Sequence, residues 1–187
     1  TDPSLAELTP NDLFQLISSA RYKDIEIDYH KSIEEPIIEG LENHLKEFLK
    51  KFKVSFVDGA KLCEEQGVFG AYDVLNKVIY LAKNRNAITA PEEAAHAIVE
   101  LLGAKPHKNA DKFPETKDMT FLLNHVEKTA IYKRVLGEYS DTYVKKNGTP
   151  DILKIKKEAI GQALAVAIKN NWEHNTLEEE KSFWEKL

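Results

Sequence analysis

The sequence has little cysteine and no long apolar run, and these absences exclude several classes of protein. Its 187 residues include one cysteine, Cys63, so an internal disulfide framework and a zinc site built from cysteines are excluded. No apolar stretch approaches the ~20 residues that cross a bilayer, and no dense stripe of lysine and arginine is present. With a net charge of -5, the sequence predicts no membrane insertion and no nucleic-acid partner.

The rest of the composition is that of a soluble globular protein. Hydrophobic residues make up 42% of the chain and charged residues 30%, and the length suits a domain with a sizeable core. The chain begins at Thr1 and its only methionine is Met119, so we expect it to be a processed or excised part of a longer protein. Cytoplasmic, virion and secreted locations all stay open.

Hydrophobic periodicity predicts helices, then a small sheet, then more helices, which is an α+β order. For the N-terminal segment, residues 1–52, we predict helices at 11–21 and 32–52 with a short strand or coil at 24–31. For the second region, residues 53–187, we predict a strand, a short helix, a β-hairpin, four helices and a polar loop. The strand is predicted at 53–57, the short helix at 59–66 and the hairpin at 69–82. The four helices are predicted at 89–103, 118–146, 150–171 and 177–185, and the polar loop at 104–117. The two regions are expected to form one compact domain.

The helix predicted at 89–103 carries most of the functional information. Glu92 and His96 are four residues apart, so their side chains project from one helix face, and Glu93 lies beside them. This is the spacing of the zinc-peptidase motif H-E-x-x-H, with Glu92 at the position of the first histidine.

Glu158 in the later helix is a candidate partner for this motif. Gly161 and Ala165 lie on the same helix face and allow another helix to approach closely. Glu158 would then point into a helix–helix contact. A carboxylate there has to be paired, protonated or bound to a cation, because an isolated buried charge is too costly.

These segments resemble the gluzincin metallopeptidases, in which a glutamate from a later helix completes an H-E-x-x-H site. The segment from Glu158 to Gln162 is similar to the downstream Glu-Ala-x-x-Asp of thermolysin-like members. The strand at 78–81 fits the strand along which zincins lay their substrate. Residues 72–81 and the motif helix also resemble metallopeptidase domains of phage polyvalent proteins and of lethal-factor-like toxins. The resemblance covers about residues 53–172.

The resemblance implies a zincin-like fold and a metal site formed by Glu92, His96 and Glu158. Zinc is the expected ion, with Mn²⁺ or Mg²⁺ less favoured, and Glu93 is the general base for hydrolysis of a peptide or protein substrate. Two positions depart from the family pattern: Glu92 replaces a histidine, and Gln162 replaces the acidic residue that supports that histidine. A glutamate ligand needs a hydrogen-bond donor, so Gln162 is expected to support Glu92.

Each of these residues also has a purely structural interpretation. Thr89 and Glu92 have the spacing of a capping box, in which Glu92 would bond the Thr89 amide and serve only the helix start. Glu93 would favour the helix dipole, His96 would be a core histidine, and Glu158 would be solvated.

Further alternatives stay open for the function and for nearby residues. The domain could be an inactive pseudo-peptidase that acts without a metal as a protein-binding or structural module, or a helical di-iron carboxylate protein built on Glu93-x-x-His96. His125 is an alternative ligand. Tyr132, Tyr139 and Tyr143 form a stripe that predicts core packing, with a transition-state hydrogen-bond donor as the second interpretation.

Overall fold

The computed structural model describes residues 22–103 and 117–185, which contain seven helices and a three-stranded sheet. The elements are α1 Tyr22–Glu34, α2 Glu39–Lys50, β1 Ser55–Asp58, α3 Lys61–Gln66, β2 Gly70–Asp73, β3 Val78–Leu81, α4 Thr89–Gly103, α5 Lys117–Val126, α6 Ala130–Tyr139 and α7 Ile152–Glu185. The predicted class, α+β with a small sheet and hairpin on a mostly helical domain, is confirmed.

The sheet is small and leaves one strand beside the motif helix. Its order is β1-β3-β2, with β1 parallel to β3 and β2 antiparallel to β3. The hairpin closes at Asp73, whose Oδ1 accepts hydrogen bonds from the amides of Leu75 and Asn76 at 3.0 Å each. Strand β2 is therefore an edge strand, and it packs against α4.

Helices α4 and α7 pack against each other through small residues. Buried alanines on both helices, such as Ala94 and Ala97 facing the core from α4 and Ala159 and Ala163 from α7, permit a close backbone approach. The buried leucines of α2 belong to the same core cluster. Of the helices within the two described ranges, none is long and apolar enough to cross a membrane.

The prediction for the segment 24–31 was wrong, because this segment lies within α1. Ser32 was expected to start a helix, but its hydroxyl donates to the Asp28 carbonyl inside α1 at 2.7 Å. The helix instead breaks around Pro36, since proline disfavours a helical conformation in the residue before it. The next helix, α2, begins only at Glu39.

Two helix boundaries in the C-terminal half were also wrong. The helix predicted at 118–146 is interrupted at Thr129, whose Oγ1 caps α6 by accepting the Tyr132 amide at 3.2 Å. The helices predicted at 150–171 and 177–185 are one continuous helix, α7. The helix predicted at 11–21 and nearly all of the loop at 104–117 lie outside the described residues.

Candidate active site

The candidate residues of α4 and α7 line one cavity. Glu92, Glu93, His96 and Glu158 all border a space of about 470 Å³. A second space of about 300 Å³ shares Glu93, His96 and Glu158 with the first and extends along β2. Residues that lie far apart in the sequence therefore meet between the edge strand and the two packed helices.

His96 and Glu158 form a direct contact between the two helices. His96 Nε2 lies 3.3 Å from Glu158 Oε2. Gly161 makes room for this histidine, since a Cβ atom at position 161 would lie 2.9 Å from His96 Cε1. The absence of a side chain at this position lets the imidazole lie directly on the backbone of α7.

A chain of hydrogen bonds holds the Glu158 carboxylate in place. Gln162 Nε2 donates to Glu158 Oε1 at 3.1 Å, and Arg134 Nη2 donates to Gln162 Oε1 at 2.9 Å. The Tyr143 hydroxyl donates to Glu158 Oε2 at 3.4 Å. Gln162 therefore bonds Glu158, whereas it was expected to support Glu92. The reason is helical spacing, because Gln162 is four residues beyond Glu158 on the same face.

Glu92 faces the cavity and not the start of its helix. The Thr89 amide, which a capping box would pair with Glu92, donates instead to the Asn86 carbonyl at 3.3 Å. Desolvation and then the charge of Glu158 raise the pKa of Glu92 to about 7, and a hydrogen bond with Tyr29 opposes this rise. Burial, followed by the charge of Glu92, raises the pKa of the Tyr29 phenol far above its ordinary value.

Glu93 lies between the motif helix and the edge strand. Its Cγ would be 2.9 Å from a Cβ atom at Gly70, so glycine is needed for this approach. Desolvation, then repulsion from Glu92 and from Glu158, raises the pKa of Glu93 to about 8. Without a cation, Glu93 is therefore largely protonated at neutral pH.

These carboxyl groups give a testable pH dependence of stability. In the unfolded chain their pKa is near the ordinary value of 4.5, but in the folded chain the pKa is about 7 for Glu92 and about 8 for Glu93. Between those limits the folded state binds more protons, so rising pH lowers the free energy of unfolding, by up to about 1.4 kcal/mol per pH unit for each group. Urea denaturation of chelator-treated protein should show Glu93→Gln gaining stability relative to the parent from pH 5 to pH 8. The exposed Glu65→Gln control should show no such gain, and a parallel profile for both variants would contradict the raised pKa of Glu93.

Several residues of the site were missed or misjudged from the sequence. Tyr29 and Arg134 carried no functional signal, since their positions depend on how α1 and α6 pack around α7. The three tyrosines of the predicted stripe do not share one environment. Tyr132 is buried in the core, whereas Tyr139 and Tyr143 stack with ring centroids 4.9 Å apart. Burial, then the charge of Glu158, raises the pKa of Tyr139 to about 12.

His125, the alternative ligand, belongs to a different part of the molecule. Its Nδ1 donates to the Phe121 carbonyl of its own helix at 2.7 Å, and its ring packs on the Phe121 ring with centroids 4.3 Å apart. It is not among the described residues that line the two cavities. His125 is therefore a useful control for His96.

The carboxylates and the imidazole at the cavity are ligand types that bind divalent cations. Over the described parts of the chain, no group of three or more His, Cys, Asp or Glu side chains has its donor atoms gathered as a metal ion would require. The 3.3 Å between His96 Nε2 and Glu158 Oε2 is nevertheless close to the ~3.4 Å that separates two ligands of one tetrahedral zinc ion. Glu92 lines the same cavity, and its carboxylate is of the kind that binds divalent cations.

No model of a known protein family, no characterised protein and no solved structure matches the chain. The resemblance to gluzincins therefore stays a prediction based on short motifs. A function is indicated by the four side chains at the cavity, by their charges and by the neighbouring edge strand.

Proposed function

We propose that this domain is a zincin-like, metal-dependent peptidase in which Glu92, His96 and Glu158 hold a divalent cation. The main support is the pairing of His96 Nε2 with Glu158 Oε2 at 3.3 Å, in a cavity that also contains Glu92 and Glu93. Desolvation and then mutual repulsion raise the pKa of Glu92 and of Glu93, and a bound cation would relieve the repulsion. Zinc is the first candidate; two carboxylate ligands also suit the harder Mn²⁺ and Mg²⁺.

The bound cation would supply Lewis-acid activation of a water molecule and of the substrate carbonyl. Glu93 is the general base in this proposal, because it borders both cavities beside His96. A base has to be ionised before it accepts a proton, and a nearby cation favours the ionised form of Glu93. The hydroxyl of Tyr143, which donates to Glu158, is a candidate donor to the oxygen of a reacting carbonyl.

A peptide substrate is supported by the position of β2. Gly70, Ala71 and Tyr72 of this edge strand line the same cavity as Glu93 and His96. An extended peptide can add to an open sheet edge through main-chain hydrogen bonds. Its backbone would then run past the general base.

The same contacts also favour a second candidate, an inactive pseudo-peptidase that binds peptides. Both oxygens of Glu158 already accept hydrogen bonds, from Gln162 and from Tyr143. In addition, a pKa of about 8 leaves Glu93 largely protonated at neutral pH, and a protonated carboxyl group cannot act as a general base. In this alternative the edge strand binds a partner and no hydrolysis follows.

Metal titration by calorimetry, combined with cleavage of a mixed peptide library, separates the two candidates. We expect the parent to bind one Zn²⁺ or Mn²⁺ ion, and His96→Ala or Glu158→Gln to weaken binding at least about tenfold. The matched control His125→Ala should bind like the parent. Glu93→Gln should keep the ion and lose hydrolysis. Binding without hydrolysis in the parent would leave the pseudo-peptidase, and absence of binding would reject the metal site.

A further inference from the structure

The cavity that follows β2 away from the candidate active site carries positive charge on one wall. One wall is formed by the edge strand and the hairpin, with Ala71, Tyr72 and Val74. Tyr143 and two lysines of α7, Lys154 and Lys157, line the same cavity, and the two lysines form its lysine wall. A chain lying along β2 would therefore pass these lysines within a few residues of Glu93.

The two lysines belong to the first turns of α7 and share a face, because they are three residues apart. Lys154 Nζ lies 4.5 Å from the centroid of the Tyr143 ring, which holds the ammonium at the cavity. No carboxylate of the described residues forms an ion pair with Lys154, whereas Lys157 Nζ lies 3.5 Å from Glu100 Oε1. The positive end of the α7 dipole adds to the potential at this wall.

The space on the other side of Gly70 has a different character. Its lining includes the apolar side chains Ile33, Val68, Phe69 and Ile88, and Phe69 is 47% exposed. No lysine or arginine is found among the described residues that line it. The two ends of the cleft thus offer different environments to the two sides of a bound peptide.

The direction of a bound peptide follows from strand pairing. β2 runs from Gly70, beside Glu93, toward Asp73 and the lysine wall. Antiparallel pairs outnumber parallel pairs, and β2 already pairs antiparallel with β3 on its other edge. A peptide added antiparallel to β2 would place its N-terminal part beside the lysines and its C-terminal part at the apolar end.

We propose that the cleft selects peptides with an acidic side chain ~2–4 residues N-terminal to the bond beside Glu93, and that Lys154 is the main residue that recognises this side chain. The inference rests on the proposed function for the location of the peptide, but it concerns binding and does not require cleavage. Glu100 partly neutralises Lys157, so it limits the preference.

Fluorescence anisotropy with labelled ten-residue peptides tests the proposal on the full chain. Three peptides share one sequence and carry Glu near the N-terminal end, Glu near the C-terminal end, or Gln at both positions. We expect the first to bind about tenfold tighter than the other two at low salt, and the advantage to shrink in ~0.5 M salt because exposed charges are screened. Equal affinities, a preference for the C-terminal Glu, or no measurable binding of any peptide would each overturn the proposal.

Three variants identify the recognising residue. Lys154→Met should remove most of the preference for the N-terminal Glu, and Glu100→Gln should increase it by releasing Lys157. Lys133→Met, which removes an exposed lysine of α6, should leave it unchanged. If Lys154→Met and Lys133→Met behave alike, Lys154 does not recognise the peptide. A preserved preference without any cleavage would retain this inference and reject only the peptidase activity.

Discussion

Replacing Gly161 with alanine is expected to destabilise the protein and to displace His96. In most helices this change stabilises, by up to about 1 kcal/mol, because glycine loses more backbone entropy on folding. Here the added Cβ would lie 2.9 Å from His96 Cε1, which is closer than real Cβ contacts, and 3.0 Å from Nδ1, which is tighter than most of them. We expect a net loss of about 1–3 kcal/mol in the free energy of unfolding, typical of overpacking.

The same variant should lose affinity for a divalent cation at least about tenfold if His96 is a ligand, because the ring is pushed away from Glu158. Gly137→Ala is the matched control, since it lies in α6 with no atom within 4 Å of its added Cβ. It should gain stability and keep the cation. Urea denaturation and calorimetry measure both effects. Equal behaviour of the two variants would mean that α7 does not fix the position of His96.

The meeting of α4 and α7 could be anticipated because its signals are local. The i, i+4 spacing of Glu92 and His96 fixes their common face, and the small residue Gly161 marks a close approach. The sequence could not indicate the partner of Glu92, because Tyr29 reaches it from a helix far earlier in the chain. Arg134 is hidden for the same reason, since its role depends on the packing of α6 against α7.

The difference between local and distant contacts also explains which elements of the fold were predicted and which were missed. The hairpin was predictable because alternating residues and the Asp73 turn are neighbours in the sequence. Helix α1 was missed because its polar, weakly alternating sequence has no clear helical period, and its stabilising partners lie in α7. Asn170 donates to Asp28 at 3.1 Å, and Lys169 pairs with Glu35 at 2.9 Å just beyond α1.

Placing a histidine at position 92 is expected to raise the affinity for zinc. Glu92→His completes H-E-x-x-H on a helix whose spacing is already correct, and imidazole suits zinc better than a second carboxylate does. The change also removes one of the charges that raise the pKa of Glu93. The Tyr29 hydroxyl, which bonds Glu92, should then accept the outer N–H of the new ring. We expect the zinc affinity measured by calorimetry to rise about 10–100-fold.

The zinc affinity of Glu92→His should depend on the residues that hydrogen-bond the metal ligands, Gln162 and Tyr29. Gln162 is hydrogen-bonded to both Glu158 and Arg134. Adding Gln162→Asp should therefore reduce zinc binding, because Glu158 would lose the hydrogen bond that Gln162 donates and would face a second carboxylate instead. Adding Tyr29→Phe should remove part of the gain, by roughly tenfold for a lost outer partner. Glu92→Gln is the control, since it removes the charge without supplying an imidazole. If Glu92→His binds zinc no better than Glu92→Gln, then His96 and Glu158 are not metal ligands, and the carboxyl cluster of α4 and α7 is held by protonation and hydrogen bonds alone.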